Sequence, residues 1–88
     1  MEIQVSKKFI KQAKNLPQYT QQALKLLIDH IKEARDLSHI PHLKKLQSHG
    51  SFYRVRIGDY RIGFELSEDD KVILKAAAHR RDIYKLFP

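Results

Sequence analysis

Apolar positions along this chain change their spacing twice. Ile3 and Val5 alternate with Glu2 and Gln4, the two-residue period of a short strand. Phe9, Ile10, Ala13 and Leu16 then fall one and three residues apart, which gathers them on one helical face. Ser6 stands just before this run, where its hydroxyl can cap the helix. Pro17 ends the helix, because the residue before a proline is pushed out of helical angles. It also opens a second helix, where its missing N–H is surplus. That helix is expected over residues 17–35, with Leu24, Leu27, Ile28 and Ile31 as its apolar stripe and Lys25, Asp29, Lys32 and Glu33 on its wet side.

The helical pattern stops at Asp36. Pro41, three histidines, Ser38, Ser48 and Gly50 mark residues 36–50 as a loop, with Leu43 and Leu46 tucked onto the core. Beyond it the period becomes two, and residues 51–57, 60–66 and 72–79 read as strands. Gly58-Asp59 and residues 67–71 are the turns between them. The order is β-α-α-β-β-β with helices and strands segregated, an α+β class. A helix hairpin should pack on one face of a small, mostly antiparallel sheet of three or four strands, within a single domain of 88 residues.

Alternation then places the charges. In the strand over 51–57, Tyr53, Val55 and Ile57 share one face while Arg54 and Arg56 share the other. In the next, Tyr60, Ile62, Phe64 and Leu66 oppose Arg61, Gly63 and Glu65. The apolar sets must meet the helices, so the arginines project from the uncovered face. A two-residue turn at Gly58-Asp59 pairs Ile57 with Tyr60, Arg56 with Arg61, and Arg54 with Gly63. Two arginines directly opposite each other repel. An anion between them turns that repulsion into binding, since guanidinium forks match phosphate oxygens. Gly63 leaves room for something to lie close to the sheet, whereas Glu65 offers a partner for one of the cations. The strand over 72–79, apolar on both faces, suits a central position. It runs into His79-Arg80-Arg81-Asp82-Ile83-Tyr84, which can add cations, an imidazole and a phenol at the edge of the same face.

Composition sharpens this picture. Seventeen Lys and Arg against ten Asp and Glu give a net charge of +7, which points to a polyanionic partner. Zero cysteines exclude disulfides, thiolate metal sites and cysteine nucleophiles together, and favour a reducing compartment. Neither a signal peptide nor an apolar run of membrane-spanning length is expected, so the chain is expected in the cytoplasm. His39 and His42 stand three apart but have Pro41 between them and no clear acidic or thiolate companion, which makes a poor metal site. Lys7, Lys8 and Lys11 oppose the dipole of the first helix and form either a solvated face or an RNA contact.

Phe52-Tyr53-Arg54-Val55-Arg56-Ile57-Gly58-Asp59-Tyr60-Arg61-Ile62, followed by His79-Arg80-Arg81-Asp82-Ile83-Tyr84, resembles the RelE/ParE toxin superfamily, RelE branch. The upstream Leu43-Lys44-Lys45-Leu46 is similar to the family's stretch leading into its arginine or lysine strand. The resemblance implies an endoribonuclease toxin of a toxin–antitoxin system, cleaving mRNA at the ribosome without metal or cofactor and held inactive by a cognate antitoxin. It implies that Arg54 and Arg56 stand where the family carries two catalytic lysines. Arg61 and Arg80 match two further arginines, and Tyr84 matches a late tyrosine at shorter spacing. RNA contacts would come from Lys44, Lys45, Arg54, Arg81 and Lys85.

The reaction implied is attack of a ribose 2′-OH on the adjacent phosphate, which DNA cannot perform. Arg61 and Arg80 would stabilise the charge that builds on the phosphate oxygens. Arginine cannot lose its proton as a crowded lysine can, so a base must come from elsewhere. His79 is the expected substitute, as base or acid, unless it only packs at a strand end. Two other readings remain: a ParE-like inhibitor of DNA gyrase, and a binding module that holds nucleic acid without cutting it.

Overall fold

A computed structural model describes residues 1–46 and 51–88. In chain order the elements are β1 (Ile3–Val5), α1 (Lys7–Lys14), α2 (Gln18–Glu33), a 3-10 turn at Leu37–His39, β2 (Leu43–Lys45), β3 (Phe52–Ile57), β4 (Tyr60–Leu66), β5 (Val72–His79) and α3 (Ile83–Leu86). The fold is α+β, with a helix hairpin on one face of a mixed, mainly antiparallel sheet. Among the described residues its sheet has five strands in the order β1-β5-β4-β3-β2, with β1 parallel to β5 and the other neighbours antiparallel. The fifth strand is β2, inside the stretch expected to be loop. Ser48 and Gly50, read as loop markers, lie outside the described residues.

The helices form where capping and periodicity agree. The Ser6 hydroxyl accepts from the Phe9 N–H at 3.0 Å, which satisfies a donor that the first turn of α1 cannot. Pro17 supplies only its carbonyl to α2, accepting from the Gln21 N–H at 2.9 Å. The Gln21 side-chain amide reaches back to the Leu16 carbonyl at 2.8 Å and the Lys14 carbonyl at 3.2 Å, covering acceptors left at the end of α1. Phe9, Leu16, Leu24, Leu27 and Ile31 are buried with Val55, Ile62, Phe64, Val72, Leu74 and Ala77 in the main core. Tyr53 stacks on Phe64 at its margin, ring centroids 5.3 Å apart.

Register follows the turn. Gly58 takes φ +56, a left-handed conformation that a Cβ would disfavour. Ile57 then stands opposite Tyr60, Arg56 opposite Arg61, and Arg54 opposite Gly63, the pairing that alternation and the short turn require. Between β4 and β5 the ladder is interrupted. Gly63 pairs with Ala76 but Phe64 pairs with Leu74, so β5 carries one extra residue, a β-bulge at Lys75. The bulge inverts the alternation of everything after it. Val72 and Leu74 face the helices before it; beyond it Ala77 does so, while Ala76 and Ala78 turn to the other side. By then β1 has left β5, and the Ala77 N–H donates instead to the Gln12 side-chain oxygen at 2.8 Å. A buried N–H is thereby satisfied.

The face away from the helix hairpin is partly covered. Ile83 and Phe87, from α3 and the residue after it, form a second buried cluster with Leu46 and Ala76. The phenyl ring of Phe87 meets that of Phe52 edge-on at 5.4 Å. Among the described residues no helix is long and apolar enough to cross a membrane.

Candidate nucleic-acid interface

Three strands and the short terminal helix each contribute to one basic surface. On β3, Arg54 and Arg56 project from the side away from α1 and α2, and Arg61 joins them from β4. On β2, Lys44 stands opposite Arg54 and so shares its face. Beside them is Tyr84 of α3, whose ring lies 4.7 Å beneath the Arg54 guanidinium. A cation over a ring at this distance contributes about 0.5–1 kcal/mol where it is exposed. Together with His42 and Leu43 these residues line a shallow depression of about 380 Å³.

Each guanidinium is oriented without being neutralised. Arg61 donates from Nη1 to the Gly58 carbonyl at 2.9 Å and the Tyr60 carbonyl at 3.0 Å. Arg56 donates from Nη2 to Nδ1 of His42 at 3.2 Å. Glu65, the acid on this face, is paired to Lys75 at 2.7 Å. Among the described residues no carboxylate lies within ion-pair distance of Arg54, Arg56 or Arg61. Three permanent cations without counter-charges favour an anion, and the planar forks of arginine suit phosphate in particular.

The remaining expected residues are placed differently. His79 is off this face, because the bulge at Lys75 shifts the alternation of β5 by one. It pairs with Tyr60, meets that ring edge-on at 5.3 Å, and accepts at Nδ1 from the Arg81 backbone N–H at 3.2 Å and from Arg81 Nε at 3.3 Å. His79 therefore stands at the strand end on the side of Tyr60, bonded to the exposed Arg81, and not beside Arg54, Arg56 and Arg61. Lys45 stands opposite Tyr53, on the helix side of the edge strand. Arg80 sits past the end of β5 at the β3–β4 turn, its N–H bonded to the Asp59 carbonyl at 2.7 Å and its Nε 3.9 Å from the Asp59 carboxylate. Lys85 is exposed next to Tyr84 in α3.

Two features escaped the pattern of the sequence. The space beside Gly63 is filled by the chain itself: a Cβ built there would stand 2.5 Å from Phe87 Cδ2. His42, set aside as half of a poor metal pair, lines the depression. Its backbone takes φ +58, a left-handed conformation costing a β-carbon-bearing residue about 1 kcal/mol. Its carbonyl accepts the Arg56 N–H at 3.2 Å, so β3 holds it there. The signal was the Pro41-His42 pair itself, which marks a turn. Among the described residues no three of His, Cys, Asp and Glu stand together as metal ligands. A larger groove of about 490 Å³ between α1 and α2 is lined mainly by Phe9, Ile10, Ala13, Leu24 and Ile28, with Lys14 and Lys25 as its ionisable groups.

Known proteins share this architecture. The family model described as ParE toxin of type II toxin–antitoxin system, parDE, matches residues 3–84. Toxin RelE3 of Methanocaldococcus jannaschii is 33% identical over 89 residues, spanning 100% of both chains. A chain of the RelB–RelE antitoxin–toxin complex from Methanococcus jannaschii superposes with a TM-score of 0.84 at 32% identity, covering 97% of this chain and 99% of that one. The isolated E. coli RelE toxin gives 0.72 at 15% identity, over 96% and 90% of the two chains, a likeness of fold.

Proposed function

The chain belongs to the RelE/ParE toxin superfamily and closely resembles its RelE-like members, and from that premise we propose that it is an endoribonuclease toxin cutting mRNA. The observation that carries this reading is the group of Arg54, Arg56 and Arg61 around one depression, with no carboxylate partner among the described residues. The proposed reaction is transesterification. The ribose 2′-oxygen attacks the neighbouring phosphorus, the bond to the 5′-oxygen breaks, and a 2′,3′-cyclic phosphate and a 5′-hydroxyl result. Arg54, Arg56 and Arg61 bind the phosphodiester and stabilise charge on its non-bridging oxygens as the fifth bond forms. Arg80 supports this from the end of the hairpin. Tyr84, an exposed ring braced by Arg54, offers a base a stacking surface. Lys44 and Lys85 extend the positive track for the strand; no step requires a metal or cofactor.

The relatives solved as RelB–RelE complexes support a cognate antitoxin as partner. The cytoplasm, where mRNA and the ribosome are found, is the proposed place of action. The test is induction of the chain in a growing culture, with RNA ends mapped across a reporter transcript. New 5′-hydroxyl ends that vanish in the Arg54→Ala, Arg61→Ala double variant are expected. The matched family description names ParE toxins, which favours gyrase inhibition as the second reading. Intact mRNA with arrested replication would select it.

A further inference from the structure

We propose that His42 is the proton acceptor of this site, taking the proton of the attacking 2′-hydroxyl on its Nδ1. The inference rests on the ribonuclease reading and adds the group which that reading lacks. The charged and titratable side chains around the depression are His42, Lys44, Arg54, Arg56, Arg61 and Tyr84. Arginine does not give up its proton in a protein. A phenol such as that of Tyr84 ordinarily keeps its proton near neutrality, and Lys44 is a cation on an edge strand opposite Arg54. Imidazole alone in this set ordinarily exchanges protons near neutrality.

The geometry also fixes which nitrogen acts. Arg56 Nη2 can only donate, so Nδ1 of His42, 3.2 Å away, presents its lone pair and the ring's hydrogen resides on Nε2. A phosphodiester competes for the Arg56 fork, because a charge-assisted bond to a phosphate oxygen is stronger than one to a neutral nitrogen. As Arg56 turns to the phosphate, the lone pair it covered is released next to that phosphate, where the adjoining ribose lies. His42 then takes the 2′-OH proton, the 2′-oxygen bonds phosphorus, and the phosphorus–5′-oxygen bond breaks. The departing 5′-oxygen takes a proton from water, and the imidazolium returns its proton to the hydroxide so formed. Atoms and charge balance.

The backbone of His42 makes the test clean. At φ +58 glycine is unstrained and asparagine is tolerated, so His42→Gly and His42→Asn can keep the turn intact. Single-turnover cleavage would be measured on ribosome-bound mRNA and on free RNA, from pH 5 to 9. Affinity would be measured with an RNA carrying 2′-deoxyribose at the cut position. Both variants should cut about 100-fold more slowly at neutral pH and lose the parent protein's rise in rate with pH. They should bind the deoxy RNA within about 2-fold of the parent protein, since a base contributes little to ground-state binding. Free imidazole should raise the rate of His42→Gly about 10-fold and leave His42→Asn, whose cavity is filled, unchanged. Parent-like cleavage with its pH dependence intact in His42→Asn would overturn the role of His42 while leaving the ribonuclease standing. No cleavage by the parent protein on either substrate would overturn both.

Discussion

Gly63 on β4 lies directly under the ring of Phe87, so closely that a methyl group on Gly63 would fall 2.5 Å from Cδ2 and 2.6 Å from Cγ of that ring. The terminal segment therefore docks on the sheet only because one position of β4 has no side chain. Tyr84 stands three residues before Phe87, so the same contact holds its ring beneath the Arg54 guanidinium.

Gly63→Ala should lower stability by about 1–3 kcal/mol, the usual cost of overpacking. The penalty should shrink in a Phe87→Ala background, where the new methyl has somewhere to go. Urea denaturation of the four proteins of this cycle measures the coupling. Amide exchange should rise in Ile83–Leu86 of Gly63→Ala well before it rises in β3.

Arg56 and Arg61 face one another across the hairpin, a placement that opposes folding and favours anion binding. Replacing one with a neutral, strand-compatible residue should separate the two effects. Arg61→Thr is expected to raise folding stability by a few tenths to about 1 kcal/mol. It should weaken RNA binding and reduce the salt slope of log K by about 0.7, the loss of one phosphate contact to a single strand. Thermal melts and filter binding at several salt concentrations check the pair of outcomes.

Gln12 of α1 supplies the acceptor for the Ala77 N–H just past the bulge. Gln12→Leu keeps similar bulk but leaves a buried donor unpaired, at an expected cost of about 1–3 kcal/mol. Denaturant melts measure the loss, and exchange of the Ala77 amide should accelerate more than that of Ile62.

Hydrogen bonds hold the Asp36 carboxyl below the ordinary aspartate range: first the Ser38 hydroxyl, then the Ser38 backbone N–H at 2.9 Å, outweighing a small effect of desolvation. A folded value below the unfolded one gives stability that is present above the unfolded pKa and fades as pH falls through the folded one. Being fully exposed, the group contributes little to the whole. Ser38→Ala should move the Asp36 titration upward toward the ordinary value, read by carboxyl carbon NMR shifts.

The arginine hairpin was legible because each part of its signal is local. Gly58-Asp59 fixed the turn, the turn fixed the register, and two-residue alternation fixed which side chains share a face. Leu43–Lys45 escaped as a strand because three residues following Pro41-His42 show no alternation of their own; pairing with β3 makes them a strand. The side of the sheet on which His79 stands was hidden for a related reason. Three consecutive alanines, Ala76 to Ala78, have nearly equal preference for either face, so nothing in that run marks the extra residue at Lys75.

From the chain alone come the helix hairpin, the hairpin register of Arg54, Arg56 and Arg61, and a surplus of cations seeking an anion. Tertiary structure decided which histidine joins them, what fills the space over Gly63, and how the late tyrosine is held. Periodicity reports the environment of residues near one another in sequence, whereas a bulge, an edge pairing and a docked tail depend on contacts between distant segments.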